Sequence, residues 1–166
     1  MKRRHLILAS MATAIVGACS TKSKFRSYNG PEVTYVVVNK ADRKMFLFNN
    51  QRVLNDYDVD LGFAPIGDKF FEGDGRTPEG NYFIDRRNPN SKFHLSIGIS
   101  YPNAEDRAEA KALGKPPGGD IFIHGKSNPL KRKRDDWTWG CIAVPNDEIE
   151  LIYAMVKNGT PIQINP

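Results

Sequence analysis

The chain has 166 residues, of which 40% are hydrophobic and 26% charged, with a formal net charge of +5. That length holds one domain with a real core and excludes two large ones, and the composition is that of an ordinary globular protein. Lys2, Arg3 and Arg4 carry three of the positive charges; without the first 18 residues the balance is 21 basic to 19 acidic side chains, which argues against a nucleic-acid partner.

The N-terminus is laid out as an export signal over residues 1–18. Lys2-Arg3-Arg4 is a charged start, and Leu6 to Ala18 is an uncharged apolar run of 13 residues, short of the roughly 20 that cross a bilayer. It ends in Val16-Gly17-Ala18-Cys19, small residues before a cysteine. This resembles the bacterial lipobox, which implies cleavage before Cys19 and a lipid on its thiol. An ordinary signal cut after Ala18 would instead leave Cys19 as a spare thiol. Ser20 follows, not an aspartate, which in a Gram-negative cell implies anchoring on the periplasmic side of the outer membrane. Residues 19–32 are polar and end in Gly30-Pro31, so they are expected to form a lipidated tether, with 33–166 as the folded domain. Cys19 and Cys141 are the two cysteines. With Cys19 acylated, Cys141 has no partner in the chain. A lone thiol in an oxidising compartment is unusual unless it acts, although free cysteine also serves as a small buried hydrophobe.

Val33 to Asn39 is β-branched and predicts a strand. Lys44 to Asn49 and Arg52 to Leu54 flank a hairpin turn at Asn49-Asn50-Gln51, and Tyr57 to Gly62 alternates as a half-buried strand does. Pro65 to Gly80 is a glycine-punctuated loop without the G-x-x-x-x-G-K-[ST] spacing, so it is no phosphate cradle. Asn81 to Asp85 and Phe93 to Ser100 read as further strands. Asn103 is placed to cap a helix over the Ala- and Glu-rich stretch that follows; Gly114 can close it and Pro116-Pro117 forbid continuation. Ile121 to His124 predicts a short apolar strand and Lys126 to Asp136 a charged loop. Asn146 is expected to cap a helix over Asp147 to Asn158, with Ile149, Ile152, Tyr153 and Val156 as its apolar stripe and Gly159 as its stop. Thr160 to Asn165 reads as a final edge strand. The sum is a single, mainly β domain with peripheral helices.

Two segments carry chemistry. One is Ile121-Phe122-Ile123-His124-Gly125, and the other is Trp137-Thr138-Trp139-Gly140-Cys141-Ile142-Ala143. His124 and Cys141 lie seventeen residues apart across the charged loop. A thiol becomes a strong nucleophile as thiolate, and a neighbouring imidazole can take its proton. Gly125 allows a sharp turn, and its carbonyl can fix the imidazole tautomer. Gly140 lets backbone approach a substrate carbonyl, with the Gly140 and Cys141 amides as oxyanion donors. Trp137 and Trp139 are either core or the walls of a cleft. Taken singly, a strand-end histidine is more often a structural hydrogen bonder, and a Gly-Cys pair is weak.

Together, His124-Gly125 and Thr138-x-Gly140-Cys141-Ile142 resemble the signature of the L,D-transpeptidase catalytic domain, the YkuD family. Thr77-Pro78-Glu79-Gly80-Asn81-Tyr82 is similar to that family's Thr-Pro-x-Gly-x-Tyr/Phe segment, and the resemblance covers roughly Val33 to Ile164. It implies a mostly antiparallel β fold. It also implies an acyl-enzyme on Cys141, formed at the L-to-D bond of a peptidoglycan stem peptide, with His124 as general base and Gly125 orienting the ring. Resolution by an amine gives a crosslink; resolution by water gives trimming. Many members read Ser-His-Gly-Cys-Ile-Arg; here Trp139 and Ala143 replace the histidine and the arginine. Asp136 to Ala143 is closer to a subgroup similar to the enzyme that detaches Braun's lipoprotein by hydrolysis. Thr138, Trp139, His94 and Tyr101 are candidate substrate-binding residues, and Ser96 lies on the face of His94. The run Lys131-Arg132-Lys133-Arg134 is expected to be a solvated loop whose charge suits acidic groups on the stems. No cofactor or metal is expected, since only His94 and His124 follow the export signal and no ligand spacing recurs. The competing readings are a cysteine amidase or carboxypeptidase using the same residues, and a wall-binding lipoprotein without catalysis.

Overall fold

The computed structural model describes residues 23–126 and 136–166. Its strands are β1 (Tyr35–Asn39), β2 (Lys44–Asn49), β3 (Arg52–Asp58), β4 (Gly80–Asn88), β5 (Ser96–Ile99), β6 (Phe122–His124), β7 (Ile142–Ala143) and β8 (Pro161–Asn165). They form one sheet in the order β3-β2-β1-β8-β4-β5-β6-β7. Five of the neighbouring pairs are antiparallel, while β1–β8 and β6–β7 are parallel. The mainly β class expected from the sequence is therefore the observed one.

Period-2 alternation puts one face of β1, β2 and β8 inside. Val36 and Val38 of β1, Met45 and Leu47 of β2 and Ile162 and Ile164 of β8 are all fully buried. Each such side chain contributes about 1.5–3 kcal/mol. β5 is buried on both faces, because Ser96 to Ile99 lies between β4 and β6 under both layers of the core.

Three expectations need correction. The last strand is central, not an edge: β8 returns between β1 and β4, where both of its neighbours hydrogen-bond it. Arg52–Leu54 and the start of Tyr57–Gly62 are one strand, β3, paired to β2 through a register shift at Leu47/Phe48. The first helix, α1 (Ala104–Ala112), has Asn103 as its cap as expected, but the second, α2 (Asn146–Met155), begins one residue early and stops sooner. Asn146 is its first helical residue, Pro145 holds the cap position, and no side chain caps it. Val156 is already extended, so Gly159 (φ +89°) shapes the turn into β8 instead of ending the helix.

The sheet curls until its two ends touch. Beyond β3 the chain continues to Asp60, which exchanges both backbone hydrogen bonds with Ala143 of β7, at 2.9 and 2.8 Å. Gly62 bridges Thr138 in parallel, the Thr138 amide donating to the Leu61 carbonyl and the Phe63 amide to the Thr138 carbonyl. This closure carries the segment before β7 over the rim of the sheet. The 65–79 loop is fixed beside it. Buried Lys40 donates to the Gly67 and Thr77 carbonyls and to Glu79, at 2.6, 2.9 and 2.7 Å. Asp74 accepts from the amides of Phe70, Phe71 and Arg76 and from buried Lys69.

From residue 23 on, the expected tether lies on the domain. Lys24 donates to the Pro89 and His94 carbonyls, Phe25 packs on Tyr153, and Arg26 pairs with Glu150 at 2.9 Å. Cys19 lies outside the described residues.

Candidate active site

His124 is the last residue of β6, and Cys141 immediately precedes β7. These strands pair in parallel, with Ile123 opposite Ile142 and His124 opposite Ala143. That register sets Cys141 beside Phe122, two residues from His124. The Phe122 amide donates to Cys141 Sγ at 3.4 Å, and the thiol faces the Asp120 carbonyl at 3.5 Å.

The imidazole is fixed on three sides. Nδ1 lies 2.6 Å from the Gly125 carbonyl. A carbonyl only accepts, so Nδ1 carries the proton and Nε2 is left bare as a base. Phe93 stacks on the ring at 4.5 Å, and the edge of Trp137 meets it at 5.8 Å. Asp60, itself buried, holds Trp137 through Nε1 at 3.2 Å and the Lys126 ammonium at 2.7 Å. Gly125 has no room for a side chain, since a Cβ there would lie 2.6 Å from Asn146 Oδ1 and 2.8 Å from the Phe93 carbonyl.

Burial sets the resting charge state. It pushes the His124 pKa down, against the opposing pull of the Gly125 hydrogen bond. Burial pushes the Cys141 thiol up, while the Phe122 amide draws it back. At neutral pH the pair therefore rests as thiol and neutral imidazole.

The turn that presents Cys141 differs from its sequence reading. The Thr138 hydroxyl donates to the Cys141 carbonyl at 2.7 Å and accepts from the Gly140 amide at 3.2 Å. Thr138 is 3% exposed, and its hydroxyl is spent on these two bonds that shape the turn. The Gly140 amide is engaged by that hydroxyl and is not a free oxyanion donor; the Cys141 amide makes no hydrogen bond among the described residues. Gly140 has φ +121°, and a Cβ would sit 2.5 Å from the Arg76 carbonyl. The backbone angle and this internal contact by themselves require a glycine here.

Trp139 is 70% exposed and meets the ring of Phe63 edge-on at 5.0 Å, on the open side of the turn. His94 has φ +74°, and its Nε2 lies 2.9 Å from Glu150 on α2, so its imidazole is engaged away from the Cys141–His124 pair. Tyr101 is buried and donates to the Pro117 carbonyl at 2.9 Å, beneath the loop that leads to Asp120. Ser96 is buried opposite His124 on β5. The Lys131–Arg134 run lies outside the described residues. Among the described residues, no group of three or more His, Cys, Asp or Glu is placed for a metal.

Asp60, Phe93, Asp120 and Phe122 were not singled out by the sequence. Only Asp60 left a trace. In Tyr57 to Gly62 the alternation reads it as solvent-facing, yet it sits inside, beside two residues that bracket the charged loop.

Comparison with known proteins identifies the family and the fold. The family model for the L,D-transpeptidase catalytic domain, YkuD, matches residues 33–164. "Putative L,D-transpeptidase YafK" of Escherichia coli (strain K12) is 29% identical over 128 residues, covering 74% of this chain and 46% of its own length. The helical cell shape determining protein Pgp2 of Campylobacter jejuni superposes with a TM-score of 0.63 at 28% identity, over 82% of this chain and 49% of Pgp2. L,D-transpeptidase 1 of Mycobacterium tuberculosis shares the fold, with a TM-score of 0.53 at 14% identity over 81% of this chain and 62% of its own. The chain thus spans about half the length of the first two relatives. With 132 consecutive residues under one family model, the chain belongs to the L,D-transpeptidase catalytic domain (YkuD) family.

Proposed function

We propose that this protein is a cysteine L,D-transpeptidase that forms an acyl-enzyme on peptidoglycan stem peptides during wall remodelling. The observation that carries the reading is the paired register of β6 and β7. It sets Cys141 beside Phe122 while the Gly125 carbonyl turns Nε2 of His124 into the available base.

The reaction follows from those groups. His124 Nε2 takes the thiol proton as Sγ attacks the carbonyl carbon of the L-to-D bond. The tetrahedral oxyanion takes the Cys141 amide as donor. Collapse breaks the C–N bond, and the departing amine receives the proton from His124. A thioester remains. An acceptor amine then attacks it, passing its proton to His124 and on to Sγ, to give a new amide and free thiol. Water in the acceptor's place gives a carboxylate, which is the hydrolytic reading suggested by the resemblance of Asp136 to Ala143. Thr138 and buried Ile142 hold the nucleophile through both halves.

Export, cleavage before Cys19 and a lipid on that thiol are part of the same proposal, and they place the domain on the periplasmic side of the outer membrane. The name of Pgp2 adds a cellular consequence, cell shape, to be tested here.

The experiment is to incubate purified muropeptides with wild type and with Cys141→Ala and to read the products by mass spectrometry. Crosslinked dimers with wild type alone support transfer. Trimmed stems or released lipoprotein support hydrolysis by the same nucleophile. Full activity in Cys141→Ala overturns the mechanism, and absence of any native-state adduct between Cys141 and iodoacetamide or a carbapenem favours a wall-binding role.

A further inference from the structure

One row of residues crosses three adjacent strands and ends beside Cys141, just ahead of β7. Arg86 of β4 pairs with Gly98 of β5, Gly98 pairs with Phe122 of β6, and the β6–β7 register sets Phe122 beside Cys141. Gly98 leaves the row open: a Cβ there would lie 2.4 Å from Arg86 Cγ and 2.9 Å from Cζ. The Arg86 side chain therefore runs across Gly98, and its guanidinium stands over the Phe122 ring at 4.5 Å. The amide of that same Phe122 holds Sγ at 3.4 Å. With strands about 4.8 Å apart, the guanidinium stands one strand from the nucleophile.

The fork is also presented outward. The β4–β5 register shifts between Ile84 and Arg86, and this bulge brings Asp85 and Arg86 together over Gly98. Nη1 bonds both oxygens of Asp85 at 2.9 Å. Nη2 makes a longer contact, 3.3 Å, with Asp120 Oδ1. The side chain of Asp120 is 92% exposed and that of Arg86 37%. Asp120 has φ +55°, and its carbonyl accepts from the Cys141 thiol at 3.5 Å while its side chain stays in solvent. A guanidinium fork suits a carboxylate bidentately, and an exposed single contact is readily exchanged.

We propose that Arg86 is the carboxylate clamp of this enzyme. It would receive the free C-terminal carboxylate of the stem peptide, one residue beyond the scissile carbonyl, and Asp120 would hold its place until substrate arrives. The proposal rests on the function given above. It makes Arg86 a specificity-determining residue that binds substrate without taking part in bond making. The charge also acts locally, since Arg86 is among the groups that draw the Cys141 thiol back toward its ordinary range.

The test compares a disaccharide-tetrapeptide with the same molecule amidated at its C-terminus. Wild type, Arg86→Gln and Asp120→Asn, all as full chains, are assayed for kcat/KM and for the Cys141 acyl adduct by intact mass. Wild type should favour the free acid about tenfold or more, the usual worth of a charge-assisted hydrogen bond. Arg86→Gln should lose that factor on the acid, mainly in KM, and treat acid and amide alike. Asp120→Asn should lower KM for the acid only. Equal losses on both peptides, or no loss, would overturn the clamp while leaving the acyl-enzyme intact. Failure of wild type to acylate with either peptide would remove the proposed function and the clamp with it. Unchanged melting temperatures in both variants separate binding from folding.

Discussion

The turn that presents Cys141 and the start of α2 both press on the His124–Gly125 segment, yet they are built in opposite ways. In the turn, the Thr138 hydroxyl satisfies both the Gly140 amide and the Cys141 carbonyl, and the Thr138 backbone bonds Leu61 and Phe63. At the start of α2 no side chain caps the helix, and Asn146 Oδ1 and Glu148 Oε2 are buried without a hydrogen-bond partner among the described residues. Tyr57 Oη, facing Glu148 from β3, is likewise unpaired there. A turn pinned by one hydroxyl and two backbone bonds fixes one geometry, whereas unpaired buried groups cost about 1–3 kcal/mol each. The fold is thus closely bonded in the turn before Cys141, the proposed nucleophile, and poorly satisfied one layer behind His124, the proposed base.

Removing the base should give the largest effect. His124→Ala is expected to slow acylation by about a hundredfold to ten-thousandfold, the usual range for general-base loss. In wild type the same group sets the acid limb. Burial holds the imidazole below its ordinary 6.5, so acylation should stay level at neutral pH and fall only when pH drops through that lowered value. Stability carries the matching sign: the unfolded chain binds the proton first, so stability declines as pH falls below 6.5. A rate profile that instead rises steadily from pH 7 to 9 would mean the thiol ionises without the imidazole.

The turn should give the intermediate effect. Thr138→Val keeps the shape of a buried side chain but removes both hydroxyl hydrogen bonds. The expected loss is about 1–3 kcal/mol of stability, or roughly 2–10 °C in melting temperature for a domain of this size. Acylation should fall further than this stability loss predicts, because Gly140 and Cys141 are no longer held in one conformation. Thr138→Ser should restore most of both. Equal acylation rates in Thr138→Val and wild type would show that the turn does not aim the nucleophile.

The same contrast explains what could be read from the sequence. Asn103 was legible as a cap because its signal is local: its side chain accepts from the Glu105 and Asp106 amides, and Asp106 returns the bond in a capping box. Cys141, His124 and Gly125 were legible because their chemistry is carried by residue type at close spacing. Asn146 misled, since an asparagine before an apolar stripe looks like a cap, while Pro145 takes that position and burial of Ile149, Ile152 and Met155 holds the helix. Central β8 was illegible as well. A short terminal strand between Thr160 and Asn165 reads the same whether it lies at an edge or between β1 and β4, because that choice is made by long-range pairing. Asp60 and Arg86 were hidden for the same reason: their partners lie across sheet registers that periodicity does not encode.

The smallest effect belongs to the unsatisfied side. Burial, helped by Asp147 and Asp58 and opposed by Lys126 and Lys44, pushes Glu148 up to about 7. The folded chain therefore holds a proton that the unfolded chain releases near 4.5, so this contribution is complete below pH 4.5 and lost as pH rises through 7. Glu148→Gln removes that loss. It should raise the melting temperature by a few degrees at pH 8 and leave it unchanged at pH 4.5, a difference readable by thermal melts at the two pH values. Acylation of Cys141 should change less than twofold, because Lys126 keeps its ion pair with Asp60 and the Gly125 carbonyl is untouched. A loss of acylation comparable to that of Thr138→Val would mean that the layer behind the base also aims it, and the contrast between the two regions would collapse.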